Sequence, residues 1–302
     1  MHLKDVSSRI HQIMNPQSLG VSLNPSTSPQ HIAGLQPGQT SETVDQIQSL
    51  SPAGRLKPIS VLLNEPIEGL QAEPGVSAST QTALNTVPGS KWAGFLNGNG
   101  SRETAIILPK GFDASKPAEV IFYFHGHHGT IANTLTDPKK GMNQAIQELA
   151  TRKNAIVVIP QGPPKEHDFK WFNPLNKESL VDFQKDALEQ IQQMAPGVQL
   201  ASITLKGHSA GGLALMNSLT DSAKKGGLQV DRVDVLDGSY GYWASSAWQG
   251  LKKLNPDAQM NVLYIPNSKT EADALRLKNI KQVKLQSVLL GHGDFPKTFI
   301  GQ

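Results

Sequence analysis

The run Leu200-Ala201-Ser202-Ile203-Thr204-Leu205-Lys206-Gly207-His208-Ser209-Ala210-Gly211-Gly212 constrains this chain more than any other. It reads as a short apolar strand, then Gly-x-Ser-x-Gly, then an apolar helix starting near Leu213, which is the setting in which the pattern marks a nucleophile elbow. A serine alcohol is a weak nucleophile. It becomes useful when a tight turn pushes it out of the backbone, so that a histidine can reach its proton while a carbonyl approaches from the other side. A side chain at Gly207 or Gly211 would crowd the neighbouring strand and helix. The plainer alternative is a glycine-rich turn whose serine caps the following helix.

From about residue 90 the chain alternates strand, loop and helix. Trp92 to Phe95 and Thr104 to Leu108 read as two strands joined by Asn97-Gly98-Asn99-Gly100, a composition that favours a hairpin. Val120-Ile121-Phe122-Tyr123-Phe124 is a continuous apolar run, as expected of a strand covered on both faces. Met142, Ala145, Ile146 and Leu149 fall at helical spacing, and Ala155 to Pro160 follows as a strand. A helix with Leu180, Phe183, Ala187, Ile191 and Met194 on one face leads into the elbow. After it come the strands Val233 to Leu236, Asn261 to Ile265 and Val283 to Leu289, with a short helix near Ala272 to Leu277. This alternation predicts a mostly parallel sheet with helices on both faces.

Residues 1–88 differ. They are dominated by Ser, Gln, Pro, Thr and Asn, with few apolar groups, and such a segment cannot bury enough surface to offset its ordering entropy. The expected division is a largely disordered arm over 1–88 and a catalytic domain over 89–302. Two pieces of the arm stand out: a possible helix carrying Val6, Ile10, Ile13 and Met14, and the apolar run Ile59-Ser60-Val61-Leu62-Leu63. The start of the chain lacks the apolar core of a signal peptide. The arm's composition resembles the Ser/Gln-rich leaders of exported bacterial effectors, so it is expected to bind a partner or serve export. The protein would then act in the cytoplasm or beyond it by a non-classical route.

Composition excludes several classes. A formal net charge of +3 is too small to argue for nucleic acid or an anionic membrane. With no cysteine there is no disulfide framework, thiolate metal site or cysteine nucleophile. No apolar run approaches the roughly 20 residues that span a bilayer.

Residues from about 90 to 302 resemble the α/β-hydrolase superfamily of serine esterases and lipases. The resemblance rests on Gly207-His208-Ser209-Ala210-Gly211 and on Phe124-His125-Gly126-His127-His128-Gly129, with an acid after the strand following the elbow and a histidine after the last strand. It implies the α/β-hydrolase fold, with ligands bound outside the carboxyl ends of the strands. It further implies Ser209 as nucleophile, His292 as base, and the backbone N-H groups of His127 and Ala210 as an oxyanion hole. Asp237, directly after the strand Val233 to Leu236, is the favoured acid. Glu271 and Asp273 are the alternatives, although Thr270 and Asp273 together also resemble a helix start.

Other readings of these residues stand beside those. The three close histidines could hold a metal, although no carboxylate lies at a familiar spacing, and neither metal nor cofactor is expected. His292 could be a surface histidine in a glycine-rich turn, and His208 is expected to be structural or part of the pocket wall. Trp171 and Tyr240 are candidates for gripping substrate, while Phe172, Tyr242, Trp243 and Trp248 could equally be packing. The expected activity is hydrolysis of a carboxylic ester, on a small-molecule or acylated substrate, through an acyl-enzyme on Ser209. An amidase, peptidase or acyltransferase would use the same groups, and a non-catalytic binding protein could keep the fold.

Overall fold

The computed structural model describes residues 68–96, 102–162 and 179–302. Strands β1 (Gly69–Ala72), β2 (Gly89–Leu96), β3 (Arg102–Pro109), β4 (Ala118–Phe124), β5 (Ala155–Pro160), β6 (Leu200–His208), β7 (Arg232–Leu236), β8 (Gln259–Tyr264) and β9 (Val283–Ser287) form one sheet in the order β1-β2-β3-β5-β4-β6-β7-β8-β9. Only β3 runs antiparallel to its neighbours. The helices are α1 (Ala78–Asn85), α2 (Ile131–Thr136), α3 (Asn143–Arg152), α4 (Leu180–Met194), α5 (Gly211–Lys225), α6 (Trp243–Leu254), α7 (Glu271–Arg276) and α8 (Phe295–Phe299).

Side chains alternate across a strand, so a strand covered on both faces is apolar throughout. In β4, Phe122 and Phe124 point into one core with Phe183 of α4, Leu215 of α5 and Trp248 of α6. Ile121 and Tyr123 point into the other core with Leu84 of α1, Ile146 and Leu149 of α3, and Phe295 and Phe299 of α8. Helices thus lie on both faces, as the alternation predicts.

Register aligns the strand ends that carry chemistry. Phe124 pairs with Gly207, His208 with Leu236, and Leu236 with Leu263. The segments after β4, β6 and β7 therefore emerge side by side at one edge of the sheet, where open parallel sheets place their ligands. At the central strand, the fully buried Lys206 donates to Asp234 at 2.6 Å and to the carbonyls of Phe299 and Gln302 at 3.0 and 2.9 Å. These bonds tie the chain that follows His292 to the strand that carries the elbow.

The boundary expected at residue 88 is corrected. Residues 69–88 extend the sheet as β1, parallel to β2, and add α1, with Val76, Leu84 and Val87 buried. Glu103 of β3 accepts hydrogen bonds from Ser77 Oγ at 2.9 Å and from the Thr80 hydroxyl. Composition averaged over the arm hides a segment that buries Val76, Ala83, Leu84 and Val87 in one of the two cores. The expected helix at Val6 to Met14 and the apolar run Ile59 to Leu63 lie outside the described residues, as does the turn 97–100. No helix among the described residues is long and apolar enough to cross a membrane.

If α1 belongs to the folded domain, Leu84→Ala costs about 2–5 kcal/mol of unfolding free energy, as for other buried leucines. Chemical denaturation followed by circular dichroism measures this. An unchanged midpoint would return α1 to the arm.

Candidate active site

Ser209 sits between β6 and α5 with φ at +53°, a left-handed conformation that costs a non-glycine residue energy. Close approach of backbone to backbone imposes it. A Cβ at Gly211 would stand 2.2 Å from the Phe124 carbonyl oxygen, and one at Gly212 would stand 2.1 Å from that of Gly238. Only glycine lets α5 start this close to the ends of β4 and β7. Ser209 N-H donates to Leu236 O at 3.1 Å, so the ladder runs one residue past the strand before the chain turns.

Asp237 repeats the device, donating its N-H to Leu263 O at 2.8 Å and turning with φ at +44°. Its carboxylate is 2% exposed in residue terms and is surrounded by donors. Oδ2 accepts from His292 Nδ1 at 2.5 Å, and Oδ1 accepts from Thr270 Oγ1 at 2.5 Å and Ile265 N-H at 3.3 Å. Burial pushes the Asp237 pKa up, but the bonds from His292 and Thr270, the His292 charge and the Ile265 N-H together hold it below the ordinary carboxylate range. Because an ionised carboxylate only accepts, the proton in this bond is carried by Nδ1 of His292.

Thr270 was not singled out as a site residue by sequence. As the residue before α7 it looks like a cap, yet it makes no side-chain cap bond. Its hydroxyl turns inward to Asp237 and receives a bond from Ser268 at 2.7 Å, while its carbonyl accepts from Ser239 at 2.7 Å. The two alternative acids have other partners. Asp273 is fully buried and accepts from Ala244 N-H at 2.7 Å, Ser245 N-H at 3.3 Å and Ser245 Oγ at 2.6 Å. It thereby caps α6 from another helix, offsetting that helix's unpaired donors. Glu271 accepts the Asn267 N-H at 2.9 Å.

Of the histidines, His125 is buried and satisfied at both nitrogens: Nδ1 donates to Gly126 O at 2.9 Å and Nε2 accepts from Gly162 N-H at 2.8 Å. His127 and His128 are exposed, with rings 3.7 Å apart. Among the described residues no three His, Cys, Asp or Glu side chains are grouped to hold a metal ion. His208 is buried against His292, with its Nε2 bonded to His292 O at 2.9 Å and the ring centroids 4.6 Å apart. Burial lowers its pKa to about 4, with the His292 charge acting in the same direction. It is a wall and a brace for the His292 loop.

Ser209, His292, His127 and His208 line one cavity of about 290 Å³, at the lower edge of small-molecule sites. A larger cavity of about 740 Å³ opens at the opposite edge of the sheet, between residues 108–115 and 196–199, and no histidine lines it. Gly126 lies against the elbow, since a Cβ there would be 3.0 Å from Ser209 Cβ. Ala210 N-H donates to no group among the described residues. The Tyr240 phenol stands beside the Ser209 hydroxyl and packs edge-on against Trp243 at 5.4 Å. Trp248 is core, and Tyr242 is exposed under the Arg276 guanidinium at 4.2 Å. Trp171 and Phe172 lie outside the described residues.

The model of a family described as putative esterase matches residues 97–224, a span that includes the elbow. No curated protein matches the sequence. Among solved structures, a mutant feruloyl esterase module from Clostridium thermocellum, complexed with sinapinate, is similar at 13% identity and a TM-score of 0.53. The similarity covers 78% of this chain and 93% of that one. A protein named FAE is similar at 12% identity and a TM-score of 0.50, over 66% of this chain and 79% of that one. At such identities the likeness speaks for the fold. The chain has the α/β-hydrolase fold, and its residues 97–224 are similar to a family described as putative esterase.

The folded pKa of His208 lies below its unfolded value of 6.5, so between pH 6.5 and about 4 the unfolded chain binds more protons and stability falls as pH drops. The expected loss is about 3 kcal/mol. His208→Gln keeps a donor for His292 O and removes the titration. The stability difference between wild type and variant should therefore change by that amount from pH 7 to 4 in denaturant titrations. A pH-independent difference would contradict a neutral, buried His208.

Proposed function

We propose that this protein hydrolyses carboxylic esters through an acyl-enzyme on Ser209, with His292 as general base and acid and Asp237 as the orienting carboxylate. The observation that carries the reading is the 2.5 Å bond from His292 Nδ1 to a buried, ionised Asp237, in a cavity that also holds a serine on a strained elbow. His292 Nε2 takes the Ser209 proton as Oγ adds to the ester carbonyl. The negative charge that develops on oxygen is received by the N-H of Ala210 and by that of His127, whose preceding residue Gly126 packs against Ser209. Collapse of this intermediate breaks the bond to the alcohol oxygen, which leaves with the proton from His292. Water, deprotonated by the same imidazole, then releases the acid and restores Ser209. Tyr240, hydrogen-bonded to Ser209, contacts the bound ester in this scheme.

In assays on short 4-nitrophenyl esters, Ser209→Ala and His292→Ala each lower kcat by about 10⁴-fold or more. The double variant is no worse than either single one, because the two groups act as a unit. Losses under tenfold, or losses that multiply, would reject the mechanism.

Thr270 has a positioning role in this scheme. Thr270→Val lowers kcat about tenfold or more, the scale of one hydrogen bond to a charged group. It also raises the lower pKa of the kcat profile, because Asp237 loses a donor to its ionised form. Thr270→Ser restores both. A valine variant with wild-type kcat and an unmoved profile would make the bond merely structural.

A further inference from the structure

Lys140 lines the same cavity as Ser209 and His292. Its stem runs over the residue next to the base: a Cβ at Gly293 would stand 3.1, 2.6 and 2.4 Å from Lys140 Cγ, Cδ and Cε. Its ammonium makes no hydrogen bond or ion pair among the described residues. The carboxylates nearby have other hydrogen-bond partners, although the Lys140 charge also acts on Asp137, which lines the cavity with it, and on Asp294. Asp294 pairs with Lys297 at 2.8 Å, Asp237 is bonded to His292, and Asp137 Oδ1 accepts the backbone N-H groups of Lys139 and Lys140 at 2.8 and 2.9 Å. The Lys140 charge nevertheless reaches the interior, where it helps to keep His208 neutral. A cation laid along the wall of a small catalytic cavity, with its stem held and its head unpaired, is a ready partner for an anion on the substrate.

We propose that Lys140 makes this cavity selective for esters that bear a carboxylate near the scissile bond. The inference rests on the hydrolytic role of Ser209 proposed above and adds the chemical class of the substrate. In a cavity of about 290 Å³, one small molecule that meets Ser209 also meets Lys140. The carboxylate could be carried on the acyl part or on the alcohol part, since both supply the same charge.

The test is a comparison of ester pairs on the full chain. Mono-4-nitrophenyl succinate against 4-nitrophenyl butyrate places the charge on the acyl part with a common leaving group. The butyrate ester of 4-hydroxybenzoate against phenyl butyrate places it on the alcohol part. For one pair, Lys140→Met lowers the anionic-to-neutral ratio of kcat/KM about tenfold, while Lys140→Arg keeps it within about threefold. The pair that responds identifies the part carrying the charge. Lys139→Met, on the neighbouring lysine outside the cavity, leaves the ratio unchanged. Added salt lowers the wild-type ratio, as for a partly exposed charge pair. A ratio that Lys140→Met does not move in either pair overturns the proposal.

Calorimetry on the Ser209→Ala background separates this inference from the hydrolytic reading. Monomethyl succinate should bind more tightly than methyl butyrate, and adding Lys140→Met should remove the preference. A preference that persists without Lys140, or none at all, overturns the carboxylate site. A Lys140-dependent preference in a protein whose wild type turns over no ester supports the site and sinks the hydrolytic reading alone.

Discussion

Three pieces of backbone meet at the elbow with no room for a side chain between them, and the active edge depends on that contact. The start of α5 presses on the end of β4 through Gly211 and on the chain after β7 through Gly212. Ser209 has no relaxed conformation available there, and its φ of +53° follows. Well-packed interiors are stiff, so such strain persists only where the surroundings over-determine it. Here the surroundings are two apolar cores, one on each face of the sheet, and a register that ends β4, β6 and β7 level with one another.

The second condition is electrostatic. Burying Asp237 favours its neutral form, and a neutral acid would stabilise a charged His292 poorly. Donors from three places reverse that preference: the imidazole it orients, the Thr270 hydroxyl, and the backbone after β8. Ser268 and Ser239 then fix Thr270 from its other sides. His208 contributes by remaining neutral and holding the His292 carbonyl, so His292 is oriented by backbone as well as by its ring. Lys140 lines the same cavity, with its stem laid against Gly293.

The elbow, the His-Gly segment and the alternating strands were legible because their signals are local: glycine spacing, a run of apolar residues, one motif on one turn. What sequence left open turns on contacts between distant residues. Asp237 and Asp273 could both have been the acid on position alone. The structure gives Asp273 to the donors that open α6, some 28 residues away, and leaves Asp237 facing His292. Thr270 looked like a helix cap for the same reason, since nothing local says that its hydroxyl turns to a carboxylate 33 residues earlier. The aromatic stretch after Asp237 left α6 unread, because by sequence Trp248 could equally grip a ligand or pack, and only the core it fills decides for packing. Residues 69–88 vanished into the average composition of the arm, although a glutamate on β3 and an edge of the sheet give that segment its place.

The central claim is that Ser209 is activated by its surroundings and forms a covalent intermediate. The most direct measurement is mass spectrometry of the intact and digested protein after exposure to a fluorophosphonate, whose phosphorus mimics the tetrahedral centre. The account predicts one adduct, on the peptide that contains Ser209, absent from Ser209→Ala and greatly slowed in His292→Ala. Unmodified protein under conditions that label a known serine esterase, or an adduct on another residue, would contradict it.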